Sequence, residues 1–118
     1  CALPISQLHS ITTGLNNAAV LNLTVALANE LGKDGILVNA VVPTSIRTER
    51  HDHTIRDQVA KTGKPEAEIL KPRLSKIPLA RMGTAEEVAS VVVFLASERA
   101  AYVTGSTWTV DGGATARL

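Results

Sequence analysis

His51 and His53 flank Asp52 in the stretch IRTERHDHTIR, with Arg47, Arg50 and Arg56 around them. Imidazoles titrate nearer neutral pH than other unperturbed side chains, so the pair could act as acids, and the guanidiniums could bind an anionic substrate group. A solvated surface segment has the same composition, and both readings stay open here. His9 precedes Thr13 by four residues, which would put it on the same helix face, or it is simply exposed. The lone cysteine, Cys1, cannot form an internal disulfide, and no Cys/His spacing resembles a metal site.

Composition limits the remaining classes. Twelve basic residues stand against eleven acidic ones, with no basic run or aromatic platform of the kind that tracks a phosphate backbone, so no nucleic-acid partner is expected. No apolar stretch reaches the roughly 18 residues of a membrane helix. The start lacks the charged, apolar and small-residue succession of a signal peptide, and a cytoplasmic protein is the expectation. At 118 residues the chain is shorter than an α/β nucleotide-binding domain usually is, so it is expected to be part of one. Cys1–Ser6, CALPIS, is what the sequencing adapter TGTGCTCTTCCGATCT gives when translated in one frame, or else a loop turning at Pro4. On the first reading these residues are an artefact, and the fold begins at residue 7.

The elements that must position any chemistry begin near Thr13. Leu15, Ala18, Ala19, Leu23, Ala26, Leu27 and Leu31 recur at helical spacing, and Val20, Leu21 and Ala28 spread the apolar surface, predicting a helix buried on more than one side. Gly32 and Gly35 stop it. Ile36–Val42, ILVNAVV, then reads as a central parallel strand covered on both faces and ended by Pro43. Thr44–Arg81 is a charged excursion broken by Pro65, Pro72 and Pro78, with short helices expected near Thr54–Lys61 and Pro65–Lys71 around Gly63. It is either a substrate lid or a solvated surface segment. Thr84-Ala85-Glu86-Glu87 has the form of a capping box, opening a helix to about Ser97. Ala101–Ser106 turns the chain into a last strand, Ser106–Gly113, closed by a glycine pair. The order helix, strand, excursion, helix, strand belongs to a doubly wound α/β sheet.

NAAVLNLTVALANELGKDGILVNAVVP, IRTE, IPLARMGTAEEVASVVVFLAS and YVTGSTWTVDGG occur in this order over Leu15–Gly113. Together they resemble the C-terminal part of the short-chain dehydrogenase/reductase family. The resemblance implies an incomplete, C-terminal part of a Rossmann-like parallel sheet, a cofactor that is NAD or NADP, and an alcohol or carbonyl substrate. It also implies a homodimer or homotetramer, with the helix over Leu15–Leu31 pairing across a two-fold axis. The family's glycine-rich cofactor turn and active-site Ser would lie upstream.

In the family a Tyr exchanges a proton with the substrate carbonyl, and a Lys four residues later lowers its pKa and holds the nicotinamide ribose. Ungapped alignment puts Thr13 at the Tyr position and Asn17 at the Lys position. A Thr hydroxyl is far less acidic than a phenol, and Asn has no charge to tune it, so the usual relay cannot run through this pair. Either another acid or a water serves, or the protein is a non-catalytic paralogue acting by ligand binding or assembly, or the residues up to about Thr13 are an artefact like the first six, against which Asn17 stands inside well-matched sequence. The loop PTSIRT matches the family segment whose backbone and Thr meet the nicotinamide carboxamide, which marks Pro43, Ile46 and Thr48 as cofactor contacts. Thr44 replaces the usual Gly, which questions close backbone approach or a positive φ there.

Overall fold

A computed structural model describes residues 11–115. The expectations for Cys1–Ser6 and His9, and the side chain of Thr13, lie outside the described residues. Two compact units divide the chain. One runs through Val41 and includes Val92–Trp108; the other holds Val42–Val91 and the residues from Thr109 onward.

In the first unit, helix α1 spans Ile11–Leu31. Its covered stripe is Leu21, Thr24, Ala28 and Leu31, at helical spacing. The Thr24 hydroxyl is satisfied within the helix, donating to the Val20 carbonyl at 2.9 Å. Ala28 is small, and Gly105 comes so close that a Cβ on it would be 3.4 Å from the Ala28 Cβ. The expected stripe is therefore corrected: Leu15 is 66% exposed and Leu23 is 54% exposed. The helix is apolar almost all round, so hydrophobicity did not select a face; close approach at a small residue did. Gly35, at φ 75°, ends the following turn by donating to the Gly32 carbonyl at 3.1 Å.

Strands β1 (Ala40–Pro43) and β2 (Thr107–Val110) pair in parallel. In the first unit Ala40 N donates to Ser106 O at 2.9 Å, and in the second Thr44 N donates to Val110 O at 3.1 Å. Both strands are shorter than the sequence predicted. Ahead of β1 the backbone is met by side chains instead of a ladder: Val38 N donates to Thr104 Oγ1 at 3.0 Å. Asn39 donates to Val103 O at 2.7 Å, and its Oδ1 accepts from Ser106 N at 3.1 Å. This explains the one polar residue of ILVNAVV. Ile36 and Leu37 are exposed, against the expectation of a strand covered on both faces. Phe94 and Trp108 stack at 5.5 Å, tilted by 55°.

The second unit holds α2 (Glu49–Thr62), α3 (Glu66–Leu74) and the start of α4 (Ala85–Leu95). Helix α2 begins before Thr54 because Thr48 caps it, accepting from His51 N at 3.3 Å. Gly63, at φ 68°, closes it with a bond to Val59 O at 2.9 Å. Arg47 reaches Asp52 at 2.7 Å and Glu66 at 3.2 Å, tying the approach to α2 to the start of α3. The capping box forms as predicted: Thr84 N donates to Glu87 Oε2 at 2.9 Å, and Glu87 N to Thr84 Oγ1 at 3.3 Å. Helix α4 stops at Leu95, ahead of Ser97, whose hydroxyl donates to Phe94 O at 2.7 Å.

Candidate functional site at the strand ends

Ligands of open α/β sheets bind beyond the carboxyl ends of the parallel strands. There, within the second unit, an open cleft of about 500 Å³ is lined by residues following β1, by residues between α3 and α4 together with Glu87 of α4, and by the end of β2 and the turn after it.

The first wall is Thr44–Ile46. Ser45, not Thr44, takes the left-handed conformation, with φ 56°. A β-carbon is thereby held in a region costing roughly 1–2 kcal/mol, and Thr44 itself needs no positive φ. Ile46 makes a parallel bridge to Gly83. Gly83 N donates to Ser45 O at 3.1 Å, and Arg47 N donates to Gly83 O at 2.8 Å. In such a bridge the central residue turns its own N–H and C=O away from the partner strand. Neither group of Ile46 has a hydrogen-bond partner among the described residues.

The second wall is Leu79–Gly83. Leu79 N donates to Gly112 O at 3.2 Å, and Ala80 is the other non-glycine residue at positive φ, 52°. Arg81 grips Glu87 with both ends of its guanidinium, Nη1 at 2.9 Å from Oε2 and Nη2 on Oε1. The hydrogen bond from Arg81, and then that from Thr84 N, hold the Glu87 carboxyl at about 2, and the bond to Glu87 and its negative charge raise the Arg81 pKa.

The third wall is the turn after β2. Burial pushes the Asp111 carboxyl up, but hydrogen bonds from the Thr115 hydroxyl, Gly113 N and Thr115 N outweigh it and hold the group below its ordinary value. Gly112 and Gly113 have φ of 63° and 88°, and cross Ile77 and Pro78 so closely that a Cβ on either would stand within 3 Å of them. Both carboxylates of the cleft are therefore ionised and occupied near neutral pH, and neither can donate a proton there.

Of the sequence-predicted residues, Ile46 lines the cleft, Pro43 ends β1 one residue before it, and Thr48 caps α2. All three belong to the second unit. Thr13 and Asn17 belong to α1 in the first, with Asn17 exposed. The histidines are engaged within the excursion: His51 Nε2 lies 2.9 Å from Arg73 Nη1, and His53 Nδ1 is 3.6 Å from Asp57. Arg47 is taken by Asp52 and Glu66, and Arg56 Nε donates to Asp52 O at 3.3 Å. Among the described residues no His, Cys, Asp or Glu cluster could hold a metal ion, and no helix is long and apolar enough to cross a membrane. Sequence reading missed Arg81 and Gly83 altogether and saw in Glu87 only a helix cap. The ion pair leaves no periodic signal, because Arg81 precedes the helix.

The family model described as enoyl-(acyl carrier protein) reductase matches residues 6–115. A 3α-hydroxysteroid dehydrogenase of Mediterraneibacter gnavus is 48% identical over 96 residues, 81% of this chain and 34% of the relative. A tropinone reductase homolog of Arabidopsis thaliana is 41% identical over 102 residues, 86% of this chain and 35% of the relative. The chain thus spans about a third of the length of these curated relatives. Among solved structures, a short chain dehydrogenase family protein from Francisella tularensis matches with a TM-score of 0.85 at 31% identity, covering 97% of this chain and 47% of that one. L-sorbose reductase from Gluconobacter frateurii, complexed with NADPH and L-sorbose, matches with a TM-score of 0.82 at 34% identity, covering 89% and 40%. The α/β architecture agrees with the Rossmann-like expectation, and the chain belongs to the short-chain dehydrogenase/reductase family.

Proposed function

We propose that this chain is the C-terminal portion, from residue 7, of an NAD(P)-dependent oxidoreductase that interconverts an alcohol and a carbonyl compound. One observation carries the reading: after the carboxyl end of β1, Ile46 lines an open cleft, and its N–H and C=O have no hydrogen-bond partner among the described residues. A donor and an acceptor side by side on a rigid backbone suit a primary carboxamide, which carries both. Ile46 would hold the nicotinamide carboxamide through its backbone, Pro43 would fix the start of that loop, and the Thr48 hydroxyl, still free to donate while it caps α2, would add a contact. The cofactor, when bound, would supply hydride to the carbonyl when reduced and accept it from the alcohol when oxidised. The relatives' names support this chemistry, among them an NADPH-dependent reductase of Bacillus subtilis at 34% identity.

Thr13 and Asn17, at the family's Tyr and Lys positions, would hydrogen-bond substrate or ribose without forming an acid of matched pKa. That supports a second reading, a paralogue that binds cofactor without turnover. Leu15, Val20 and Leu23 of α1 are exposed, which supports assembly into a dimer or tetramer. Fluorescence titration of the full-length protein with NADH and NADPH, followed by assay of hydride transfer to simple carbonyls, tests the proposal. Binding with turnover supports the oxidoreductase, binding alone supports the paralogue, and no binding refutes both.

A further inference from the structure

Ile46 can present its amide and carbonyl to the cleft only if something holds its other side, and that something is Gly83. Its N–H and C=O grip Ser45 and Arg47, the two neighbours of Ile46, at 3.1 and 2.8 Å. The approach is close: a Cβ on Gly83 would stand 2.7 Å from Ile46 Cδ1, so the Ile46 side chain would have to shift, and 3.5 Å from Glu87 Oε2, an ordinary contact. Gly83 is in turn fixed from behind. Arg81 bonds both Glu87 and its own neighbour's carbonyl, that of Met82, at 3.0 Å, while Glu87 also accepts from Thr84 N. The chain from Arg81 to Thr84 is thereby pinned to the first turn of α4. Its φ is not among the positive values, so the need for glycine here is one of space and not of backbone conformation.

We infer that Gly83 is a positioning residue for the nicotinamide end of the cofactor, acting through the Ile46 backbone and backed by the Arg81–Glu87 pair. The inference rests on the cofactor reading above and adds to it which residue sets the orientation of the loop. With a methyl at Gly83, the Ile46 side chain must leave its rotamer, and to the extent that its packing resists, its backbone yields and one of the two carboxamide bonds is weakened.

The test compares two ligands on the full-length protein: the preferred oxidised dinucleotide, and ADP-ribose or its 2′-phosphate, which lack nicotinamide. Gly83→Ala should weaken dinucleotide binding about threefold to tenfold, the value of one net hydrogen bond, and leave ADP-ribose within about twofold. Gly83→Val, with a larger side chain, should lose at least as much. Ile46→Val removes the crowded Cδ1 and keeps the backbone, so the double variant Gly83→Ala with Ile46→Val should bind dinucleotide more tightly than Gly83→Ala alone. Thermal unfolding is followed in parallel, and the ligand selectivity should persist where the melting temperature is unchanged. The inference is overturned if Gly83→Ala binds dinucleotide as the wild type does, if both ligands weaken together, or if the double variant binds dinucleotide no more tightly than Gly83→Ala alone. Failure of the wild type to bind either ligand overturns the cofactor reading itself.

Discussion

A methyl group added at Gly113 should destabilise the protein far more than one added at Gly63, although both glycines have left-handed backbones. Gly63 has φ 68° and Gly113 has φ 88°, so each Ala variant meets the same kind of conformational penalty. Net of the entropy that Ala removes from the unfolded chain, that penalty is about 1 kcal/mol. The surroundings differ. Around Gly63 nothing lies within 4 Å of a Cβ, whereas at Gly113 it would meet Pro78 Cγ at 2.9 Å and Cβ and Cδ at 3.3 Å. A proline ring cannot rotate out of the way. Its flanks are also held, Ile77 being only 4% exposed and Leu79 N bonded to Gly112 O. Forced overlap of this kind costs roughly 1–3 kcal/mol. Gly63→Ala should therefore lose about 1 kcal/mol and Gly113→Ala about 2–4 kcal/mol, summing these two effects. Urea unfolding of the full-length protein, with the slope m unchanged between variants, measures both. Equal losses would refute the argument, because the crossing of the β2 turn over Pro78 would then contribute nothing.

Glu87→Gln should remove a pH-dependent part of stability. The folded carboxyl is held at about 2, below its unfolded value, so the wild-type advantage should be constant from neutral pH to about 5 and vanish as pH falls from about 4.5 to 2 in acid-unfolding curves. Ser45→Gly and Ala80→Gly relieve non-glycine residues at φ 56° and 52°, and each should raise stability by up to about 1 kcal/mol, read by denaturant melts; a loss at Ser45 would show that its side chain contributes more than its backbone costs. Thr13→Tyr with Asn17→Lys should raise reduction of an activated carbonyl, by up to the roughly 10²- to 10⁴-fold that general acid catalysis supplies, and either change alone should do less. Cofactor binding without any gain in the double variant would mean that the assignment of those two positions is wrong. Sedimentation of the full-length protein should show a dimer or tetramer at micromolar concentration, and a monomer would remove the role proposed for the exposed apolar residues of α1.

Local signals written in the sequence survive folding wherever the cause is itself local. The capping box at Thr84–Glu87 is legible because its first and last residues satisfy each other, and the stops at Gly35 and Gly63 because a left-handed residue is a property of one position. The order of helices and strands followed from periodicity, and the motifs spread over Leu15–Gly113 marked the family and the loop that would meet its cofactor. Non-local causes were not legible. Periodicity made Leu15 and Leu23 inward residues of α1, but the helix is apolar on nearly every face, and the small contact between Ala28 and Gly105, far apart in the chain, decided the matter. Asn39 looked out of place in an apolar strand until Val103 and Ser106 came within reach of its amide. The cleft shows the same division most clearly. Ile46 could be named from its motif, but the bridge to Gly83, the grip of Arg81 on Glu87, and the glycine turn across Pro78 join segments that only the folded chain brings together. Sequence spacing records neighbours along the chain, whereas excluded volume and hydrogen-bond pairing act between neighbours in space.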